Sequence, residues 1–137
     1  MLRIHSVAIQ CCAEVGTIAS QVSRKDPALA DQMRRAMASV ALNISEGCGS
    51  QGKNRNARYF NALGSAREIG TALEVAVAFG YVRSVDAALA RKLDRIRNDE
   101  WAARSIIGVA THPASPSHVE SPPASSGRAN TTSRIAD

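Results

Sequence analysis

Apolar residues recur at spacings of three and four residues on both sides of one glycine-rich turn, and this arrangement restricts the possible fold more than any other feature of the chain. Such spacing marks one face of an α-helix, whereas a half-buried strand alternates at every second residue. One apolar stripe runs from Leu29 to Ile44 before the turn, and another runs from Tyr59 to Val77 after it. The sequence therefore predicts two helices joined by the turn.

The boundaries of this helix pair can be placed from residues that favour helix ends. Asp26 and Pro27 predict the start of the earlier helix, because Asp caps free N–H groups and Pro fits the first turn. Its end is predicted at Gly47 and Gly49, where we expect positive φ. The later helix is predicted to begin near Asn54 and to stop at Gly80.

Two further helices are predicted outside this pair. One runs from about Leu2 to Ser23. The other is predicted to be capped by Ser84, with Asp86 in its first turn, and to follow a seam of 4-3 spacing through positions 89, 93, 96, 100, 103, 107 and 110.

Four helices with short connections pack most simply as an all-α, antiparallel up-down-up-down four-helix bundle, which we assign to residues 1–111. The low aromatic content of 4% suits close packing of small helical residues better than a strand-rich fold. Residues 112–137 are rich in Pro and Ser without periodicity, so we expect a disordered tail.

The charge of the chain favours acidic partners. Seventeen Lys and Arg residues against twelve Asp and Glu residues give a formal net charge of +5, and the excess lies in residues 1–111. RNA, DNA and anionic surfaces are the partners that such a balance favours. No apolar stretch approaches the roughly 20 residues of a membrane span, and a secretory leader pattern is missing. We therefore expect no membrane association and a cytoplasmic location.

The glycine-rich turn resembles two nucleotide-binding motifs. It spells Gly47-x-Gly49-x-x-Gly52 and continues to Lys53 and Asn54, so it approximates both a dinucleotide fingerprint and a P-loop. A P-loop places Ser or Thr after the Lys, and both motifs follow a strand. A nucleotide-binding enzyme that uses this turn is therefore a remote alternative, and a plain helix-to-helix turn is the favoured interpretation.

Two groups of cations are candidate nucleic-acid or anion-binding residues. Lys53, Arg55 and Arg58 surround the predicted N-terminus of the third helix, where free N–H groups and the helix dipole favour an anion. A second basic stripe on the fourth helix consists of Arg91, Lys92 and Arg95. For both groups, a solvated surface without a ligand is the alternative interpretation.

The remaining residue types give little support to catalysis. Only three histidines occur, two of them in the tail, and no Glu-x-x-His pair is present. We expect no metal site, no cofactor and no catalytic residue. Few aromatic residues are available to stack on bases, so sequence-specific reading of a single strand is not indicated and nucleic-acid contact should be mainly electrostatic.

Several sequence blocks carry a family resemblance. The segment Ser39-Val-Ala-Leu-Asn-Ile-Ser-Glu-Gly47, followed by Ala62-Leu-Gly-Ser-Ala-Arg-Glu68 and by Ala78-Phe-Gly-Tyr81, resembles bacterial four-helix bundle proteins related to those encoded by intervening sequences in 23S rRNA genes. The resemblance covers about residues 1–111. Ala41 departs from the pattern, because the family commonly has proline there.

The resemblance implies a cytosolic antiparallel bundle that forms a homo-oligomer, commonly a pentameric ring, without established catalysis. A related accessory variability protein of diversity-generating retroelements binds nucleic acid and a reverse transcriptase through a basic ring surface. Asn43, Glu46 and Gly47 match the family motif, and we expect Asn43 and Glu46 to satisfy backbone groups of the turn. Gly64 belongs to a set of small residues expected to permit close packing of helices or subunits.

The sequence thus predicts a non-enzymatic, oligomeric bundle that binds RNA or DNA through a basic surface. The alternative is a scaffold that binds a protein partner and has no nucleic-acid role.

Overall fold

Four α-helices form the architecture of the chain. A computed structural model describes residues 2–98 and residue 102. The helices are α1 (Leu2–Val22), α2 (Pro27–Gly49), α3 (Gly52–Ala78) and α4 (Ala87–Arg97), and this part of the chain contains no strand. Each helix packs against its sequence neighbours, and α4 also packs against α1. The predicted all-α four-helix fold is confirmed, and the segment 40–44 is helical rather than extended.

The register of the helices follows from side-chain contacts between them. Ser39 of α2 lies opposite Ser65 of α3, and Glu46 lies opposite Arg58 nearer the turn. These pairs show that α2 and α3 run antiparallel. The connections at 23–26 and 79–86 therefore lie at one end of the bundle, and the turn between α2 and α3 lies at the other.

The start of α2 agrees with the sequence prediction. The Asp26 side chain accepts a hydrogen bond of 2.9 Å from the Leu29 N–H, and Pro27 occupies the first turn. The end of α2 differs from the prediction: Gly47 and Gly49 remain helical, and positive φ occurs instead at Gly52, with a φ of 56°. The chain changes direction only after α2 has ended, because Ser50 and Gln51 adopt extended conformations.

The predicted stop at Gly80 is confirmed, and its geometry is that of a Schellman motif. Gly80 has a φ of 72°. Its N–H donates to the Val77 carbonyl, and the Tyr81 N–H donates to the Ala76 carbonyl, both at 2.9 Å. These two bonds satisfy carbonyls that the helix end leaves free. As a result, the chain leaves α3 with a fixed geometry.

The start of α4 corrects the predicted cap. Asp86, rather than Ser84, is the N-cap, and its side chain accepts a hydrogen bond from the Ala88 N–H at 2.6 Å. Both residue types can cap a helix, so composition alone could not choose between them. The predicted seam is buried at Leu89, Leu93 and Ile96. Its positions 100, 103, 107 and 110, and the tail predicted at 112–137, lie outside the described residues.

The core is apolar throughout the described chain, where no polar or charged residue is buried. One cluster joins all four helices and includes the fully buried Cys11, Met33 and Ile69. A smaller cluster of Tyr59, Leu63 and Ala102 lies toward the α2–α3 turn. Within the described residues, each helix falls short of the length or the apolar character needed to cross a membrane.

Candidate nucleic-acid interface

The glycine-rich turn is short and has helices on both sides. Only Ser50 and Gln51 separate α2 from α3. The strand that precedes the glycines in both nucleotide-binding motifs is replaced here by the last turns of α2. The geometry therefore lacks the strand–loop–helix arrangement on which a P-loop or a dinucleotide site depends.

Gly47 has a packing role that the glycine pattern alone does not reveal. It is buried at the end of α2, where the Tyr59 ring of α3 lies against its Cα. A Cβ atom built at Gly47 would lie 2.7 Å from the Tyr59 Cδ1 and closer still to Cε1. Real Cβ atoms do not approach other atoms so closely, so the absence of a side chain at Gly47 makes room for the buried ring.

The three cations predicted near this turn have different environments. The Arg58 Nε pairs with the Glu46 carboxylate at 2.9 Å, and the Arg55 Nε donates to the Ser50 carbonyl at 2.8 Å. Lys53 is exposed and makes no ion pair with the described residues. Because Arg55 contacts a neutral carbonyl, its charge is not compensated by a carboxylate. The turn therefore offers an anion the charges of Lys53 and Arg55.

The basic stripe on α4 is also divided. Lys92 forms an ion pair with Glu14 of α1, and its hydrogen bond to that carboxylate raises the pKa of the Lys92 amine. Arg91 and Arg95 are exposed, lie one helical turn apart and pair with none of the described carboxylates. Lys92 thus joins α1 to α4, while Arg91 and Arg95 stay open to solvent.

A count of charges shows that most cations are uncompensated. Residues 2–98 contain fourteen Lys and Arg against eight Asp and Glu, so their net charge is +6. Four carboxylates form ion pairs, and the four cations that they hold are Arg35, Arg58, Lys92 and Arg97. Two more, Asp26 and Asp86, cap helices. Ten cations therefore have no carboxylate partner among the described residues.

The side chains of the family-motif residues Asn43 and Glu46 make contacts that differ from the prediction. The Asn43 side-chain N–H group donates to the Ser39 carbonyl at 2.9 Å and to the Ser39 hydroxyl at 3.1 Å, and that hydroxyl lies 2.8 Å from the Ser65 hydroxyl. The Asn43 Oδ1 atom is buried and has no hydrogen-bond partner in the described chain. Neither side chain satisfies a backbone group of the turn, although the sequence predicts that both would: Asn43 bonds to Ser39 within α2, and Glu46 pairs with Arg58 of α3.

The small residues of α3 serve different purposes. Gly70 is buried beneath Arg97, whose guanidinium would lie 2.5 Å from a Cβ atom at this position. Gly64 is exposed, and a Cβ atom there would meet nothing within 4 Å. Close packing within the chain explains Gly70 but does not explain Gly64.

Two large apolar side chains are exposed on the outer surface of the α2–α3 pair. Leu42 lies between Ser39 and Glu46, and Phe60 lies between Arg58 and Ser65, so both belong to the same two-turn interval. Each is 61% exposed. On α2, residues 36–45 include no cation and no carboxylate. The outer surface that carries Leu42 and Phe60 is therefore called the neutral outer face.

The comparison with known families decides what kind of chain this is. A family model described as the 23S rRNA-intervening sequence protein matches residues 1–98, which include all four described helices. The chain belongs to this family. No curated protein and no solved structure matches it.

Membership in the 23S rRNA-intervening sequence protein family agrees with the resemblance found in the sequence. The matched region contains all ten predicted site residues. Sequence reasoning missed three exposed cations in the helix connections, Arg24, Lys25 and Arg83, which make no ion pair with the described carboxylates. The sequence does contain a signal for them. The nearby Asp26 and Asp86 are predicted to act at helix N-termini, so these two carboxylates are not expected to pair with the cations.

Proposed function

We propose that this protein is a non-enzymatic homo-oligomer that binds RNA or DNA in the cytoplasm through its exposed cations. The observation that carries the proposal is the set of ten cations without a carboxylate partner in the described chain. Family membership supports the bundle itself, and the charge distribution supports its partner.

The physical basis is the release of counterions from a nucleic acid. Each Lys or Arg that neutralises a phosphate releases condensed cations, so affinity falls as salt rises. Lys53, Arg91 and Arg95 can make such contacts without breaking an ion pair. Arg58 and Lys92 would first have to leave Glu46 and Glu14, so they contribute less.

Homo-oligomerisation, with a pentameric ring as the expected form, strengthens this mechanism. A ring repeats each cation, and several weak contacts to one polyanion raise the effective concentration of the next contact. The neutral outer face with Leu42 and Phe60 is the surface that we assign to subunit contact. Exposed Gly64 lies one turn from Phe60 and would let another helix approach closely.

A protein-interaction scaffold without a nucleic-acid role is the second candidate. It is favoured by the same exposed side chains of Leu42 and Phe60, because large apolar groups exposed on a surface can mark protein contacts. This candidate requires no function for the uncompensated cations. The two candidates therefore differ in whether those cations affect binding.

Two charge-matched triple variants test the proposal. The first replaces unpaired cations, and the second replaces cations held by carboxylates; each lowers the net charge by the same amount. The first set is Lys53→Gln, Arg91→Gln and Arg95→Gln, and the second set is Arg35→Gln, Arg58→Gln and Lys92→Gln. Fluorescence anisotropy with a labelled single-stranded RNA at several salt concentrations gives the slope of log affinity against log salt.

We expect the first variant to reduce the magnitude of this slope by about 2, since each lost phosphate contact contributes about 0.7. The second variant should change it by less than half as much. Equal losses in both variants would assign binding to overall charge instead of the unpaired cations. A wild-type protein that binds no RNA at low salt would leave the scaffold as the remaining candidate, and light scattering would then report whether it still assembles.

A further inference from the structure

The end of the bundle formed by the connections 23–26 and 79–86 combines positive charge with an exposed aromatic ring. Arg24, Lys25 and Arg83 are exposed there and have no carboxylate partner among the described residues. The two carboxylates of these connections, Asp26 and Asp86, already accept hydrogen bonds from helix N–H groups. The two connections therefore carry three cations, and their own two acidic groups have structural roles.

Phe79 is held on this end by the termination of α3. Its N–H donates to the Val75 carbonyl at 2.9 Å, and the Schellman motif at Gly80 fixes the backbone on its other side. The side chain is nevertheless 65% exposed, the largest exposed fraction among the large apolar side chains of the described chain. The backbone is thus fixed at a residue whose ring contributes little to the core.

Tyr81 supports the ring from one side. The two ring centroids lie 5.5 Å apart with an angle of 58° between the ring planes, which is within the range of favourable aromatic pairs. Tyr81 itself is half-buried and packs against the main core cluster together with Val85. The core therefore anchors Tyr81, and Tyr81 orients Phe79.

Helix termination does not require an aromatic ring at position 79. The bonds that end α3 are made by backbone groups, and Gly80 supplies the left-handed conformation. An oriented, exposed ring at the same end of the bundle as three unpaired cations has the two features of sequence-independent single-strand binding, which are a stacking platform and a positive path for phosphates.

We propose that this end of the bundle binds single-stranded nucleic acid, with a base stacked on Phe79 and phosphates held by Arg24, Lys25 and Arg83. The proposal rests on the proposed function, and it adds the kind of strand and a further contact region at the end of the bundle opposite Lys53. A duplex keeps its base faces stacked inside, so it cannot use the ring. Stacking on a phenyl face suits every base and predicts no sequence preference.

Two substitutions at Phe79 test the role of the ring. Phe79→Leu removes the aromatic face and keeps an apolar side chain. Phe79→Trp restores an aromatic face. The probes are a fluorescein-labelled oligouridine about 20 nucleotides long, an oligoadenosine of equal length and a duplex formed from them.

We expect Phe79→Leu to weaken single-strand binding about fivefold or more, with Phe79→Trp at least as tight as wild type. The salt slope should not change in Phe79→Leu, because no phosphate contact is lost. In Arg83→Gln the slope should fall by about 0.7. Circular dichroism spectra of all variants should match, since the Phe79 ring lies outside the core.

Two results separate this proposal from the broader one. If the wild type binds RNA with a steep salt slope but Phe79→Leu binds as well as wild type, stacking at this end is refuted and electrostatic binding stands. A wild type that prefers the duplex has the same meaning, because the ring then has no use. If the wild type binds neither probe, both proposals fail, and the exposed ring is better assigned to a protein partner.

Discussion

Replacing Gly47 with alanine should destabilise the protein, although the same change inside a helix normally stabilises it. Alanine is favoured over glycine in a helix by about 1 kcal/mol. At Gly47 the added methyl group would meet the Tyr59 ring, with distances of 2.7 Å to Cδ1 and 3.1 Å to Cζ. The ring has 0% exposure and packs with Leu63 and Ala102, so it has no open space into which to move.

The magnitude follows from two opposing effects. Overpacking a well-filled site costs about 1–3 kcal/mol, and the severity of this overlap places the cost in the upper part of that range. Subtracting about 1 kcal/mol of helix propensity leaves a net loss of about 1–2 kcal/mol. Gly16→Ala is the control, because Gly16 is also helical but a Cβ atom there would meet nothing within 4 Å. That variant should gain up to about 1 kcal/mol.

Urea unfolding followed by circular dichroism measures both free energies. The two variants should differ by about 1–3 kcal/mol, with opposite signs relative to wild type. A double variant, Gly47→Ala with Tyr59→Leu, should lose less than the sum of the single changes, because the smaller side chain removes the overlap. Equal stabilisation by Gly47→Ala and Gly16→Ala would refute the reasoning, since it would show that the ring does not occupy this space.

Two further predictions concern a thiol in the core and a helix cap. Burial, with a smaller contribution from nearby Glu14, raises the pKa of the Cys11 thiol from 9.0 to about 11. The unfolded chain therefore loses this proton at a lower pH than the folded chain. The stability that depends on the protonated thiol is fully present below about pH 9 and is lost as pH rises toward about 11; the free energy of unfolding falls by about 2–3 kcal/mol over this range. Unfolding free energies across this pH range should fall less steeply for Cys11→Ala than for wild type, and identical slopes would contradict the assignment. Asp26→Ala should cost about 1 kcal/mol in thermal or urea unfolding because it removes the acceptor for the Leu29 N–H, while Asp26→Asn should retain most of the stability. A loss of equal size in Asp26→Asn would mean that charge, rather than the cap, is responsible.

The helices could be predicted from sequence because their determinants are local. Apolar spacing placed α1, α2 and α3 within a few residues of their observed ends, and Asp26, Pro27 and Gly80 act as the sequence predicted. Backbone conformation was harder to assign at the α2–α3 turn. Glycine can adopt positive φ at little cost, but its presence does not show which of several glycines will do so.

Sequence alone could not predict which cations form ion pairs, because the carboxylate partner is distant in sequence or was expected to have another role. Lys92 meets Glu14 across 78 residues of sequence, so the pair depends on how α1 and α4 pack. Arg58 and Glu46 face each other only after the α2–α3 turn has formed. Sequence could therefore identify the basic character of the surface, whereas the fold determines which cations remain open to solvent.

The packing role of Gly47 also depends on the fold. Its motif position suggested a turn, yet its lack of a side chain is used by a ring that lies on the next helix. The network of Ser39, Asn43 and Ser65 has the same origin, because hydroxyl groups on two helices meet only in one register. Such residues identify the family before their physical role can be read from sequence.

The central claim is that cations left open by the fold bind nucleic-acid phosphates. Its most direct measurement is the affinity of the wild-type protein for a labelled single-stranded RNA across a range of salt concentrations, beside an oligomer of the same sequence with an uncharged backbone. We expect the log–log slope for RNA to have a magnitude of at least about 2, the contribution of three phosphate contacts, and we expect no binding of the uncharged oligomer. RNA affinity that is absent at low salt, or that does not change with salt, would contradict the claim.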